Sequence, residues 1–457
     1  MNLLHTLLAF VVALGSLIIF HELGHYLVAR ACGVKVLRFS VGMGKVVFSR
    51  RWGRDQTEWA LSALPLGGYV KMLDARDQDL AGLPAQDLAR EFTRQNVWRR
   101  IAIVAAGPLA NFLLAILLFA GLYMHGIEEP ASKIRVAQED TPAWMAGLRS
   151  GDSIHAVNGH ATPSWSEVRW QVLQAALDKE PARIELERPG SGRVSALLPA
   201  ASLAGLDLEG DVLGKLGLGL ARSKPVLGAI VEGGAAARAG LRTGDLIDSI
   251  DGRPVADGEA FISAVQAAPG KTLALHLLRA GQALDLALTP DAEPSPAGPG
   301  KAGSRPAIGK IRAEVVSTAS MITLAAAPLP ALGKAAAKVW DTSVLTLKMM
   351  GKMVRGEASW KNVTGPITIA DYAGQTARIG AVSYLSFIAF ISITLGVMNL
   401  LPIPVLDGGL LLYYSLEVLT GRPVPQRFGE IAQRFGVGLL FALMALALFN
   451  DVVRQLR

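Results

Sequence analysis

The chain has 457 residues, of which 51% are hydrophobic and 18% are charged, and its mean hydropathy is +0.36. This length allows two to four domains, and the apolar balance argues against a purely soluble protein. The formal net charge is +7, but no basic cluster is interleaved with aromatic residues, so nucleic-acid binding is not indicated. Cys32 is the only cysteine, which excludes an intrachain disulfide; we interpret it as a small hydrophobic residue.

The N-terminal segment predicts a membrane-spanning helix over residues 1–25. Residues 1–20 contain no Asp, Glu, Lys or Arg, and a span requires about 20 mostly apolar residues. The segment lacks the basic start and small-residue cleavage site of a signal peptide, so we interpret it as retained. The predicted span ends at a pair of histidines.

These histidines belong to the pattern His21-Glu22-Leu23-Gly24-His25. Residues four apart lie on one face of a helix, so both imidazoles can reach one tetrahedral Zn²⁺. Glu22 is then placed to act as general base toward a water that the metal activates. The alternative is a chance match of two surface histidines, which is weaker because the chain has only 7 histidines.

The next segment, 26–100, carries 13 Lys or Arg residues whereas residues 1–25 carry none. The positive-inside rule therefore places it in the cytoplasm. Val34–Ser49 and Thr57–Leu73 have the composition of two strands joined by glycine-containing turns, which predicts a membrane-associated β-hairpin. The apolar run around Tyr69 has two interpretations: an ordinary hairpin core, or an open strand edge near the zinc that pairs with an extended substrate.

A second uncharged stretch, 101–125, predicts the second span. It contains Gly107 and Asn111. A polar residue inside a span faces protein or water rather than lipid, and a glycine permits close approach of two backbones. Helix packing alone would explain both residues, so a role of Asn111 at the site remains one of two alternatives.

The segment that follows contains an internal repeat, which predicts two copies of one small domain. Both copies have the pattern A-G-L-x-x-G-D, a strand and an N/D-G turn, and the two are offset by 93 residues. The pattern resembles bacterial PDZ domains, which bind peptide ends by strand addition. We place the domains at 126–210 and 211–292. The alternative to peptide binding is a size filter or spacer.

The second copy includes a glycine-rich run similar to the carboxylate-binding loop of PDZ domains. Its exposed N–H groups could hold the carboxylate of a peptide terminus. No such loop is found in the first copy. The loop residues are Gly217, Leu218, Gly219 and Leu220.

The chain between 293 and 375 predicts a linker and then a periplasmic amphipathic region. Residues 293–306 are rich in Pro, Gly and Ser and indicate the linker. The region 307–375 includes the amphipathic helical pattern 334–355, with regularly spaced basic residues. Residues 315–333 are uncharged, but Pro328 and Pro330 argue against a span.

Two further spans are predicted at 379–406 and 431–449. The third ends at Asp407, where a carboxylate is costly without a partner, and its Pro402 and Pro404 predict unwound backbone. Spans one and three run in the same direction, so the two histidines and Asp407 reach the same leaflet. Two His and one Asp form a catalytic zinc set with one open position.

Taken together these features resemble the site-2 protease family of intramembrane metalloproteases. The carrying motifs are the histidine pattern, Gly107-x-x-x-Asn111, the PDZ-like repeat, and Asn399 to Gly408. The resemblance implies four transmembrane helices with two periplasmic PDZ-like α+β domains, in a bacterial inner membrane with the active site toward the cytoplasm. It implies that Zn²⁺ is bound by His21, His25 and Asp407, with Glu22 as general base and Asn399 positioning substrate.

The family resemblance also implies a substrate class. The expected substrates are single-span membrane proteins, such as an anti-sigma factor already shortened on the periplasmic side, and signal-peptide remnants. Expected partners are the lipid bilayer and peptide termini at the PDZ-like domains, with no nucleic acid. Two alternatives remain: a non-proteolytic PDZ adaptor with a structural zinc, which would tolerate Glu22→Gln, and a zinc protease acting on soluble substrates.

Overall fold

The computed structural model describes residues 3–76, 78–136, 139–204, 211–294, 307–356, 360, 364–422 and 425–455. The chain forms two compact units. One, here named the membrane unit, comprises Met1–Ile127 and Leu324–Arg457. The other, named the repeat unit, comprises Glu128–Thr323.

The helices of the described residues are α1 Leu3–Ala31, α2 Ala85–Leu88, α3 Val97–His125, α4 Pro142–Met145, α5 Trp165–Asp178, α6 Ala200–Ala204, α7 Val212–Lys215, α8 Ala235–Arg238, α9 Gly258–Gln266, α10 Pro328–Val354, α11 Pro366–Ile379, α12 Ala381–Asn399, α13 Asp407–Thr420 and α14 Gln426–Gln455. The strands are β1 Val36–Trp52, β2 Thr57–Met72, β3 Ile127–Pro130, β4 Ile134–Val136, β5 Ser153–Val157, β6 His160–Ala161, β7 Ala182–Arg188, β8 Gly192–Leu198, β9 Leu218–Leu220, β10 Val226–Ile230, β11 Leu246–Ile250, β12 Arg253–Pro254, β13 Leu273–Arg279, β14 Gln282–Leu288, β15 Asp291–Pro294, β16 Ala307–Lys310, β17 Ala313–Val316 and β18 Met321–Leu324.

Four described helices are long and apolar enough to cross a membrane, which confirms the predicted number of spans. Their bounds differ from the prediction. The first helix continues to Ala31, six residues beyond His25, because nothing in that stretch breaks a helix. The third is shorter than predicted: α12 covers Ala381–Asn399, and residues 400–406 are irregular. The fourth candidate span is Ile431–Arg454, longer than predicted, and 315–333 is not a span.

Close helix packing positions α1 against α3 in the membrane unit. A Cβ on Gly24 would overlap the carbonyl oxygen of Ala106 and lie 2.7 Å from Cβ of Ala110, so only glycine permits this approach. Beyond His25, Tyr26 packs with Phe39 and Trp59 of the hairpin, with ring centroids 5.7 and 5.1 Å away. The predicted two-stranded hairpin is present as β1 paired antiparallel with β2.

The repeat unit contains two separate hydrophobic cores, as the 93-residue repeat predicts. The first core lies under the sheet β6-β5-β7-β8 and the pair β4-β9, and the second lies under the sheet β14-β13-β11-β10-β17. In both copies the repeated aspartate pairs with an arginine of the sheet. Asp152 accepts from Nε of Arg188 at 2.8 Å, and Asp245 accepts from Nε of Arg279 at 2.7 Å.

The assignment of the glycine-rich loop to the second copy is wrong. Leu216 and Leu218 are buried in the first core, and β9 pairs with β4 of the first copy. In each copy, therefore, the strand that completes the core comes after the strands of the main sheet in the amino-acid sequence. The second copy has its counterpart in β17, which pairs with β10. The first copy thus extends to about residue 220, and its boundary at residue 210 is corrected.

Two further boundaries change for the same reason. Ile311 is buried in the second core and Ala313 and Val315 pack against it, so the second copy extends through β17. The described residues 307–324 contain three strands and no helix. The helical prediction holds from Pro328 onward, where α10 begins. Residues 293–294 of the predicted linker belong to β15, which pairs with β16. The rest of the linker lies outside the described residues.

Candidate metal centre

Three side chains from two distant parts of the sequence converge in the membrane unit. Nε2 of His21 and Nε2 of His25 lie 3.3 Å apart. Oδ2 of Asp407 lies 3.3 Å from the first and 3.5 Å from the second. Among the described residues this is the group of His, Cys, Asp and Glu side chains whose ligand atoms could hold one metal ion.

The three distances fit a zinc ion. Two ligands at roughly 2.0–2.1 Å from a tetrahedral ion are about 3.3 Å apart. Oδ2 of Asp407 is buried and has no hydrogen-bond partner, although both imidazoles are near it. The two ring nitrogens and this oxygen lie within 3.5 Å of one another, which is the arrangement a shared cation requires.

A series of turns before Asp407 places its side chain near the two histidines. Leu400 to Leu406 form successive turns between α12 and α13, as the two prolines predict. Asp407 is then the first residue of α13. A Cβ on Gly408 would overlap the carbonyl of Leu401, and a Cβ on Gly409 would overlap the carbonyl of Ile403. The glycine pair is needed because the turns fold back on the helix start.

The second nitrogen of each imidazole also has a partner. Nδ1 of His25 lies 2.8 Å from the carbonyl oxygen of Ile103. Nδ1 of His21 lies 3.2 Å from the amide nitrogen Nδ2 of Asn111, whose Oδ1 is buried without a partner among the described residues. When Nε2 is a metal ligand, Nδ1 carries the proton and donates it, so the amide of Asn111 is turned over in that state to present its oxygen to His21. Such contacts fix the orientation of ligating rings.

Gly107 explains why α3 can approach the ligands so closely. A Cβ at this position would overlap Nε2 of His25 and would lie 2.8 Å from Cε1 of His21. Any side chain here would displace the imidazoles from their common point. The glycine and Asn111 of the second span therefore both act on the histidines, one by leaving space and one by hydrogen bonding.

A cavity of about 300 Å³ opens beside the three ligands. Glu22 lines it and is 9% exposed. The strand β2 forms one side through the consecutive residues 68–72, which include Tyr69. A Cβ on Gly68 would lie 2.9 Å from Cγ of Glu22 and 2.8 Å from Cγ2 of Ile18, so the strand passes directly over the helix that carries the histidines.

The structure does not bring every candidate residue to this cavity. Asn399 ends α12 and is half-buried, but it is not among the described residues that line the cavity. Asn111 is buried against His21 and also does not line it. The segment Gly217–Leu220 belongs to the repeat unit.

Several residues at the site were not identified from the sequence. Phe92 and Asp74 line the cavity, and the carbonyl of Ile103 holds His25. Phe92 and Asp74 lie in a polar loop region without periodicity, and a backbone carbonyl has no sequence signal. Gly68 could have been found, because a glycine pair inside a strand pattern marks a close backbone approach.

The fold and the site define a zinc metalloprotease with several candidate membrane spans. A family profile identifies the particular family: that of Peptidase family M50 matches residues 9–443. The chain therefore belongs to Peptidase family M50.

Relatives of similar length match over almost the whole chain. One from Ralstonia nicotianae, named as a candidate zinc metalloprotease, is 43% identical over 459 residues, covering 98% of each chain. A Neisseria meningitidis protein of the same description is 39% identical over 459 residues, covering 99% of this chain and 100% of the relative. The regulator of sigma-E protease RseP of Escherichia coli is 38% identical over 461 residues, covering 99% and 100%.

Proposed function

We propose that this protein is an intramembrane endopeptidase that hydrolyses peptide bonds within transmembrane segments of membrane proteins. The observation that carries this proposal is the position of the site. His21 and His25 lie inside the candidate span Leu3–Ala31, and Asn111 and Gly107 of the candidate span Val97–His125 contact or approach them. A substrate bond must therefore reach a point surrounded by apolar helices.

In this proposal His21, His25 and Asp407 hold zinc, and Glu22 is the general base. A zinc ion supplies Lewis-acid activation of water and of a carbonyl group. Glu22 takes the proton of the attacking water and later donates a proton to the leaving amine. Its side chain lines the same cavity as the three ligands, which is the placement both transfers require.

The substrate has to be unwound before attack, because a helix engages its carbonyls in i→i−4 hydrogen bonds. We propose that the edge of β2 at residues 68–72, including Tyr69, receives it as an added strand. This edge lines the cavity, and β2 pairs with β1 on its other side in a two-stranded sheet. Asn399 is proposed to position the same extended segment from the end of α12.

The two copies of the repeat unit are proposed to be PDZ-like domains on the periplasmic side, with the metal centre toward the cytoplasm. The glycine-rich run Gly217, Leu218, Gly219 and Leu220 is proposed to receive a peptide carboxylate, now in the first copy, where β9 belongs. Exclusion of large periplasmic domains is the alternative role. The relative named regulator of sigma-E protease supports an anti-sigma factor, pre-trimmed outside, as substrate class, with signal-peptide remnants as a second class.

The proposal is tested by cleavage of a tagged single-span substrate, with and without its periplasmic part, in cells that carry the wild type or Glu22→Gln. We expect cleavage of the pre-trimmed substrate by the wild type and a loss of at least about 100-fold in the variant. Glu293→Gln is the matched control, because Glu293 pairs with Lys310 and Arg312 in the repeat unit and does not line the cavity. Equal cleavage by wild type and Glu22→Gln would contradict zinc hydrolysis with Glu22 as general base, and cleavage by neither would favour the non-proteolytic adaptor.

A further inference from the structure

Part of the cavity wall has no role in the metal chemistry. Asp74 and Phe92 line the cavity and are 7% and 5% exposed, respectively. They come from two loop segments that flank α2, so no regular element fixes them. Leu410 of α13, three residues after the ligand Asp407, also lines the cavity and is 43% exposed.

A buried carboxylate joins the two loop segments. Oε1 of Glu91, the residue before Phe92, accepts a hydrogen bond of 2.9 Å from the backbone N–H of Ala75, the residue after Asp74. The N–H of Phe92 in turn donates to the carbonyl of Leu73 at 2.8 Å. Leu73 and Ala75, the two neighbours of Asp74, are therefore hydrogen-bonded to Phe92 and Glu91, respectively.

Both carboxylate oxygens of Glu91 accept hydrogen bonds. It has no exposed surface, and it also accepts from the N–H of Thr93 at 2.9 Å, the hydroxyl of Thr93 at 2.8 Å and the N–H of Arg94 at 2.8 Å. Burial by itself raises the pKa of Glu91, but these hydrogen bonds outweigh burial and the net pKa lies below its ordinary value. A buried network in which every polar group has a hydrogen-bond partner is rigid.

Arg76 neutralises the carboxylate of Asp74 within the wall. Its Nη2 lies 2.6 Å from Oδ2 of Asp74, and its Nε lies 3.0 Å from Oδ1. The same guanidinium lies 5.7 Å from the ring centre of Phe92, and that ring meets the ring of Tyr414 at 6.3 Å. Phe92 is thus held between two neighbours. The remaining lining beside it is mostly apolar: Val70, Met72, Ile103, Val104 and Leu410.

We propose that this wall is a specificity subsite, which accepts an apolar side chain of the substrate residue next to the cleaved bond, with Phe92 and Leu410 setting its size and Glu91 as its positioning residue. The proposal rests on the proposed peptidase function. An apolar pocket discriminates by size, by roughly 10- to 200-fold for one methylene. An acidic side chain is disfavoured because its carboxylate would lose hydration against the apolar part of the wall.

The experiment uses the full chain in detergent with a panel of single-span substrates. The panel carries Ala, Leu, Phe or Asp at each residue flanking the mapped bond. For the wild type we expect a leucine substrate to exceed the alanine and aspartate substrates at one of the two positions by at least about tenfold in kcat/KM. Leu410→Phe should shift the preference toward alanine, and Phe92→Leu should shift it toward phenylalanine.

Leu412→Phe is the matched control for Leu410→Phe, because Leu412 is 48% exposed on the same helix and does not line the cavity. Its side-chain preference should equal that of the wild type. Glu91→Gln should flatten the preference between leucine and alanine. Asp87→Asn, which breaks the ion pair with Lys35 in the same loop region, should leave the preference unchanged.

Side-chain preference is a ratio, so a general loss of folded protein does not change it. Binding of an uncleaved peptide to the Glu22→Gln variant gives a second readout, and it should show the same opposite shifts in dissociation constant. Normal cleavage with an unchanged preference in both Leu410→Phe and Phe92→Leu would overturn the subsite alone. Absence of cleavage of every substrate by the wild type would overturn the proposed function and the subsite with it.

Discussion

The two units of the molecule use polar residues in opposite ways. In the repeat unit the same buried pair occurs twice, as Asp152–Arg188 and Asp245–Arg279, and each pair holds its own copy together. In the membrane unit the polar atoms of His21, His25 and Asp407 converge at one point, and among the described residues they form the group that could hold a metal ion. The duplicated pair therefore stabilises each copy, whereas the convergence beside the apolar helices supplies candidate metal ligands.

The largest effect is expected for Gly107→Val in the membrane unit. The new side chain would occupy the space of both imidazoles, so we expect zinc content to fall by more than about tenfold and cleavage to be lost. Gly121→Val on the same helix is the control, because its Cβ would meet nothing within 4 Å. Zinc content is measured on the purified protein by elemental analysis. Normal zinc in Gly107→Val would contradict the assigned ligand geometry.

Asn111→Ala should have a smaller effect on the same centre. It removes the amide that faces Nδ1 of His21, and loss of such an outer partner costs roughly 10- to 100-fold in metal affinity. Competition with a chelator measures the affinity. Thr394→Ala on α12, whose hydroxyl donates to the carbonyl of Phe390 in its own helix, should bind zinc as the wild type does. If Asn111→Ala retains full affinity, Asn111 has only a packing role.

The repeat unit should respond in the opposite manner, with loss of stability and no loss of zinc. Asp152→Asn leaves Arg188 without its buried charge partner and should destabilise the first copy by about 1–3 kcal/mol. Hydrogen exchange on the full chain should show faster exchange in the first copy alone. The same substitution at Asp245 should affect the second copy alone, and spreading to both copies would contradict two independent cores.

The second pair also predicts a pH dependence. Burial raises the pKa of Asp245, but hydrogen bonds from Arg279 and from the N–H of Arg242 outweigh it, so the folded pKa lies below the ordinary value. A lowered folded pKa gives stability that is present above the unfolded pKa, near 4, and lost as pH falls through the folded value. Protection factors in the second copy, which correct for the slower intrinsic exchange at low pH, should therefore fall at acidic pH, and Asp245→Asn should reduce that fall.

The smallest predicted effect concerns one backbone position at which the two copies carry different residues. Gly217 and Arg312 both have positive φ, +82° and +54°, and the residues before them accept equivalent hydrogen bonds from Ala143 and Ala236. Gly217→Ala should destabilise the first copy by about 1–2 kcal/mol, and its Cβ would also overlap Thr141. Arg312→Gly relieves backbone strain but loses the ion pair with Glu293, so its net effect should be below about 1 kcal/mol. Equal losses in both variants would contradict the difference.

The sequence predicted the number of candidate spans and the convergence of His21, His25 and Asp407, because the apolar stretches, the histidine spacing and the proline break are local signals. Four apolar stretches and the His21–His25 spacing are visible without any neighbour, and the break at Pro402 and Pro404 was visible too. The loop at Gly217 was assigned to the wrong copy because it lies between the two repeats in the sequence. The structure shows that the last strand of each copy comes after the other strands of that copy, so this loop belongs to the first. Phe92, Asp74 and Glu91 were missed because their importance arises from contacts between loops.

One feature of the metal centre bears on the order of synthesis. His21 and Asp407 are separated by 386 residues, and the whole repeat unit lies between them. A ribosome adding roughly 5–20 residues per second needs about 20–80 s to cover that distance. In the proposed mechanism, a nascent chain carries the general base Glu22 during this interval but lacks the third metal ligand. The metal centre of the proposal is therefore complete only after residue 407 has been synthesised.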